Sequence, residues 1–307
     1  KILRDLKREG WTNRAESYEE TMLERAEIWE SEAFPFGSEM PWDSTGQEEV
    51  YAWSRYFGFD QKADVTLRAI MAYMPTVPHW GYNGSARRYW DFIYAGKLQR
   101  LERQLHHYGS GLNSIPVLTE YRNNPSDMYL LRVGYGGVMG AISNITQDGF
   151  APSGFHSFPS TLRIDHYSGD NGPGIFGHTV NTGAYLVDHP EFGWLAFGGN
   201  RTVDGDWVRL DPLDSSRSRV YLASMGAWLT LEAGTFEEVA INPSAGTIRV
   251  TLAPATEYTS TARLRVQQPA EVSGVGTLEP TCDLDRARDA YTVPLGDEPT
   301  QITLRGE

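Results

Sequence analysis

The sequence predicts an α+β multidomain fold: a helical-hairpin (α/α) toroid portion followed by an antiparallel β-sandwich. Two observations carry this. Over roughly the first half, apolar residues recur at helical spacing between Gly, Pro and capping residues. After His189-Pro190 the period changes to two. The change places the boundary near Pro190, with a helical part over 1–189 and a sandwich over 190–307.

Taken in order, Asn13 to Glu32 is rich in Glu and Ala, with Met22, Leu23, Ala26 and Trp29 near one helical face. A second helix starts at Ser44-Thr45, where Ser44 with Gln47 and Thr45 with Glu48 both fit a capping box, and stops at Gly58. Asp60 caps a third, ended by Pro75, and Ser85 caps a fourth that runs to about His107. Two more are predicted at about 112–121 and 127–145, and a last one at about 175–187. Short loops between successive helices predict antiparallel pairs, hence an array of hairpins. The segment 146–173, rich in Gly, Pro, Ser, His and Asp, reads as a long functional loop. In the second half, Thr247–Leu252 and Ala262–Val266 alternate strictly, and Val220–Leu222 and Gln301–Leu304 follow the same rule, as half-solvated strands do.

A formal net charge of −13, with no basic run, argues against nucleic acid and against an anionic membrane surface as partners. No apolar stretch is long enough to span a bilayer. The lone Cys282 cannot form an internal disulfide. The chain opens on a charged helical pattern without an initiator Met, which reads as a fragment or processed piece of something longer.

Aromatic residues make up 12% of the chain, with 9 Trp and 16 Tyr, and most tryptophans fall early. Indole rings stack on the apolar faces of sugars, and equally well fill helical cores. The densest chemistry lies in Pro41-Trp42-Asp43-Ser44-Thr45-Gly46-Gln47-Glu48-Glu49-Val50-Tyr51-Ala52-Trp53. Asp43 precedes the helix and Glu48 and Glu49 occupy its first turns. Glu49 lies beside the stripe of Val50, Trp53 and Phe57, where desolvation raises a carboxyl toward the pKa of a general acid. Cleavage of a glycosidic bond uses two such carboxylates. The structural alternative is that Asp43 caps the helix and the glutamates answer its dipole. A second group is His79, Trp80 and Tyr82 in a loop between helices, a sugar subsite by composition. A third is His156 with Asp165, His166, Tyr167 and Asp170. His106-His107-Tyr108 reads as a helix end, and Gly134, Gly136, Gly137 and Gly140 as close helix packing. Neither a zinc pattern, an EF-hand, a nucleophile elbow, a phosphate loop nor a dinucleotide fingerprint occurs, so neither a metal nor a cofactor is expected.

The runs WDSTGQEEVYAWSRYFG, HHYGSGLNSIPVLTEYRNNPSDMYLLRVGYGG and HSFPSTLRIDHYSGDNGPGIFGH through HPEFGWLAFGGN resemble a bacterial family of large exported proteins of unknown function. That family is similar to the six-hairpin (α/α)-toroid glycosidases, and the resemblance covers roughly residues 10–265. It implies acidic residues in the loops and helix starts at one end, which Asp43, Glu48 and Glu49 match. It also implies a β-rich domain ahead of the helices, so that an N-terminal remainder of the same protein would complete the site. The expected function is a glycoside hydrolase acting on a poly- or oligosaccharide, with Asp43, Glu48 and Glu49 as catalytic candidates. Trp42, Trp53, His79, Trp80, Tyr82, His156, Asp165, His166 and Asp170 are the candidates for holding the sugar. The alternatives are a polysaccharide lyase using His156 or His166 with Tyr167, and a non-catalytic carbohydrate-binding protein.

Overall fold

The computed structural model describes residues 2–32, 44–73, 105–142, 156–157 and 183–306. The chain divides into two compact units, 1–120 with 129–179, and 121–128 with 180–307.

The first unit holds α1 (Ile2–Arg8), α2 (Thr12–Ser31), α3 (Ser44–Phe57) and α4 (Asp60–Tyr73). With them are α6 (Met128–Ile142) and all but the last turn of α5 (His107–Asn123). Helix α2 presents Met22, Ala26 and Trp29 to Val50 of α3, and Tyr18, Trp53, Phe57 and Phe59 close around them. Helix α3 ends where Gly58 takes φ 78°, a conformation costly for any residue with a Cβ. Gly58 N–H then donates to Arg55 O (3.4 Å) and Phe59 N–H to Ser54 O (2.8 Å), the paired bonds of a Schellman end, which turns Phe59 into the cluster. Between α5 and α6 the backbones come close: a Cβ on Gly134 would sit 2.7 Å from the Leu118 side chain.

The second unit is two sheets packed face to face. The six-stranded sheet runs in the order β12 (Leu278–Pro280), β15 (Thr300–Gly306), β10 (Thr247–Ala253), β9 (Thr235–Asn242), β6 (Trp207–Pro212), β5 (Gly199–Asp204). The seven-stranded sheet runs β13 (Arg286–Ala287), β14 (Ala290–Pro294), β11 (Thr261–Gln267), β8 (Ala227–Leu231), β7 (Arg219–Leu222), β3 (Ala184–His189), β4 (Gly193–Phe197). All pairings are antiparallel except β3 with β7. Alternate residues of both sheets meet in one core, with Leu186, Val220 and Leu229 on one side and Leu210, Ile241 and Val250 on the other. The outer face of the seven-stranded sheet carries Tyr185, Tyr221 and Trp228 in register. The end of α5 lies on them: Tyr121 packs 5.9 Å from Tyr221 and 6.2 Å from Tyr185 between ring centres, and Arg122 covers Trp228 at 4.6 Å. Arg122 also donates to the Tyr185 hydroxyl (3.0 Å), and the Tyr221 hydroxyl donates to the Arg122 carbonyl (2.8 Å).

The expected fold class is corrected. The described residues hold six α-helices of 7–20 residues and two large, mostly antiparallel sheets, and no toroid of helical hairpins is evident among them. Helical periodicity reports that each helix has one buried face; whether successive hairpins close into a ring depends on crossing geometry that no periodicity encodes. The helix expected over 175–187 is also corrected where it is described. Residues 184–189 form β3, and its first four positions are buried, so the strand reads as a continuous apolar run without alternation. His106 and His107 do not end a helix. His106 lies in β1 (Leu105–His106), paired with β2 (His156–Ser157), and His107 opens α5. The helix expected from Ala86 to about His107 lies, up to residue 104, outside the described residues.

Candidate functional site

The site is built on the first two turns of α3. Successive residues of a helix turn by about 100°, so this helix carries three different faces at once. Val50, Trp53 and Phe57 face α2. Gln47, Tyr51 and Arg55 face α5. The Asn113 amide donates to Gln47 Oε1 at 3.2 Å, the Tyr51 hydroxyl donates to Glu120 Oε2 at 2.6 Å, and Arg55 reaches the same oxygen at 3.2 Å. Arg55 is further held by Asp60 (2.9 Å) and Asp64 (2.7 Å). Burial, then the bond to Glu120, pushes the Tyr51 hydroxyl well above the usual phenol range, so Tyr51 remains a donor. Gln47 and Asn113 are 1% and 0% exposed, and Asn113 Oδ1 is buried without a donor among the described residues. A buried amide oxygen left so is costly.

Glu48 stands at the edge of this polar face. Burial first, then the adjacent Glu49, pushes its carboxyl up from 4.5 to about 7. Glu49, about 100° round the helix, turns to α2, where Arg25 lies 3.7 Å away. Arg25 in turn lies over the Trp29 ring at 5.4 Å. The group raised into the range of a proton donor at neutral pH is therefore Glu48, one residue before the one that the apolar stripe singles out.

Trp53 packs edge-on to Tyr18 of α2 (5.8 Å) and, within α3, edge-on to Tyr56 (5.5 Å) and stacked on Phe57 (5.6 Å), so its ring holds α3 to α2. His156 lies opposite His106 in the β1–β2 register. Asp43, Trp42, His79, Trp80, Tyr82, Asp165, His166, Tyr167 and Asp170 lie outside the described residues. Sequence reasoning missed Asn113 and Glu120, which reach α3 from 66 and 69 residues away; nothing local marks them. Among the described residues no cluster of three or more His, Cys, Asp or Glu is placed to hold a metal ion, and no helix is long and apolar enough to cross a membrane.

A carboxyl raised to about 7 on a helix start lined with buried amides is a site that recurs on many folds, so the chain's kinship has to come from its sequence as a whole. The model of the family of unknown function DUF5695 matches residues 1–303. The chain belongs to that family. No curated protein and no solved structure matches it. For this DUF5695 member, function therefore has to be argued from the site itself.

Proposed function

We propose that this DUF5695 chain is a glycoside hydrolase acting on a poly- or oligosaccharide, with Glu48 as the proton donor to the departing sugar oxygen. The observation that carries the reading is the Glu48 carboxyl, raised to about 7 by burial on α3 and so still protonated near neutral pH. The buried amides of Gln47 and Asn113 supply neutral hydrogen-bonding groups beside it, as recognition of sugar hydroxyls requires. Asp43, which directly precedes α3 in the sequence, is the second carboxylate in this proposal, since Glu49 is turned toward Arg25. The similarity to six-hairpin glycosidases belongs to the same proposal, as a likeness of sequence runs and not of a toroidal ring.

The test is hydrolysis of a panel of plant and bacterial polysaccharides and of aryl glycosides by the whole chain, read as released reducing ends or phenol. Glu48→Gln should lower turnover of the polysaccharides by about 10²–10⁴-fold. It should spare aryl glycosides with acidic phenol leaving groups, which need no proton. Wild-type activity should fall as pH rises past about 7, where Glu48 ionises. Equal turnover by wild type and Glu48→Gln, or no hydrolysis of any member of the panel, would overturn the reading.

One observation favours a second reading. His106 and His156 are paired positions of the β1–β2 register. A histidine pair of this kind suits proton abstraction in a polysaccharide lyase. Ultraviolet absorbance of an unsaturated product, lost in His156→Ala, would decide for it.

A further inference from the structure

The outer face of the six-stranded sheet holds an arginine that the protein positions and that has no counter-charge among the described residues. Val208 and Leu210 of β6, Val239 and Ile241 of β9, and Ile248, Val250 and Leu252 of β10 point into the core. Trp207 and Arg209, Ala240, and Thr247, Arg249 and Thr251 therefore point outward. Arg209, Ala240, Arg249 and Thr303 form one row across four strands. Ala240 has no side chain beyond Cβ, and over it Arg249 reaches across to Trp207. The guanidinium carbon comes to rest 3.4 Å from the ring centre, and Ala240 beneath is 2% exposed.

Four other sheet arginines are held by carboxylates. Arg209 lies 3.5 Å from Asp204 and 3.8 Å from Glu238, Arg263 and Arg265 share Glu232, and Arg286 meets Glu279 at 3.4 Å. Among the described residues Arg249 has neither a carboxylate nor a hydrogen-bond acceptor; its one interaction is with the indole. A guanidinium held against a ring has already lost most of its rotamer freedom, and its fork of N–H donors matches a carboxylate in two parallel bonds. Around it stand Thr251, Thr303 and Gln301, polar and neutral, and the Glu238 carboxylate opposite Thr251 is held by Arg209 at 3.8 Å. Arg305 follows diagonally on β15. None of the exposed large apolar side chains of the described residues lies on this face, so it lacks the apolar centre that docking of a protein surface needs.

We propose that this face is a binding site for a uronic-acid-bearing glycan, with Arg249 clamping the carboxylate and the neighbouring hydroxyl and amide groups taking the sugar hydroxyls. It is separate from the α3 site and does not depend on hydrolysis there. The formal charge of −13 repels a densely charged polymer at long range. That selects a glycan whose carboxylates are spaced among neutral sugars.

The whole chain is titrated by calorimetry with oligosaccharides of glucuronoxylan, pectin and alginate, with their carboxyl-reduced forms, and with an oligoglutamate peptide. At least one acidic glycan should bind, and its carboxyl-reduced form should bind about tenfold more weakly or less. Arg249→Gln should lose the same factor. Arg249→Lys, which keeps the charge without the planar fork, should also weaken binding. Trp207→Phe should bind less tightly than wild type, since the smaller ring supports the guanidinium less well. Far-ultraviolet circular dichroism and a melting curve confirm that each variant is folded. If no acidic glycan binds, if reduced and acidic forms bind alike, if folded Arg249→Gln binds as wild type does, or if the peptide alone binds, the proposal is wrong.

Discussion

Replacing Glu48 by Gln should stabilise the chain, and only above about pH 5. In the folded state the Glu48 carboxyl holds its proton to about pH 7, whereas in the unfolded chain it gives it up near 4.5. Between these values the native state binds more protons than the unfolded state, so each step up in pH favours unfolding. The loss is absent below 4.5, grows through the interval, and is complete above about 7. The gap of two and a half pH units, at about 1.4 kcal/mol each, corresponds to about 3 kcal/mol. Gln is nearly the same shape and cannot ionise, so the difference in stability between Glu48→Gln and wild type isolates this one group from every other carboxylate. Urea titrations of both proteins at intervals from pH 4 to pH 8.5 would give it directly, with a slope m common to both. At pH 4 the curves should nearly coincide, and by pH 8 the variant should be ahead by about 3 kcal/mol. A difference that stays flat with pH would show that Glu48 is hydrated in the native protein. The general-acid role proposed for it would then lose its physical basis.

Three other substitutions probe the packing around the two units. Gln47→Leu removes the acceptor of the 3.2 Å bond from Asn113 and leaves a buried amide wholly unpaired, which should cost about 1–3 kcal/mol in a urea titration. Gly134→Ala puts a methyl group 2.7 Å from Leu118 and should cost about 1–3 kcal/mol, with Leu118→Ala in the same chain recovering part of the loss if the crowding is the cause. Tyr221→Phe deletes the 2.8 Å bond to the Arg122 carbonyl and should lower stability by about 1 kcal/mol, with a matching gain in amide exchange at the end of α5.

What could be read from the sequence depended on whether the deciding contact was local. Helix α3 stops at Gly58 because the signal for its end lies within the helix and its next turn. Strands β10 and β11 alternate because one face of each is solvated, and the pattern of Thr247–Leu252 and Ala262–Val266 shows it. Strand β3 hid for the converse reason: with both faces covered it has no alternation to show. The toroid was inferred from faces that helices share with any bundle, and closure is not written in them. At the site, the apolar stripe drew attention to Glu49, yet Arg25 of α2 sits on that side and the desolvated carboxyl is Glu48. The partners that make the other face polar, Asn113 and Glu120, come from α5, and no spacing rule within α3 could point to them.

The single parallel pairing in the sandwich has a bearing on how the second unit assembles. Strand β3 lies between β4, the next strand along the chain, and β7, whose Val220 stands opposite Ala184. The β3–β4 hairpin is thus made early in synthesis but stays half-paired until β5 and β6 have entered the opposite sheet and the chain has come back. Its apolar run, Ala184 to Val187, waits uncovered through that interval. A nascent chain halted before Arg219 should be prone to clump through this edge, and release of the block should cure it.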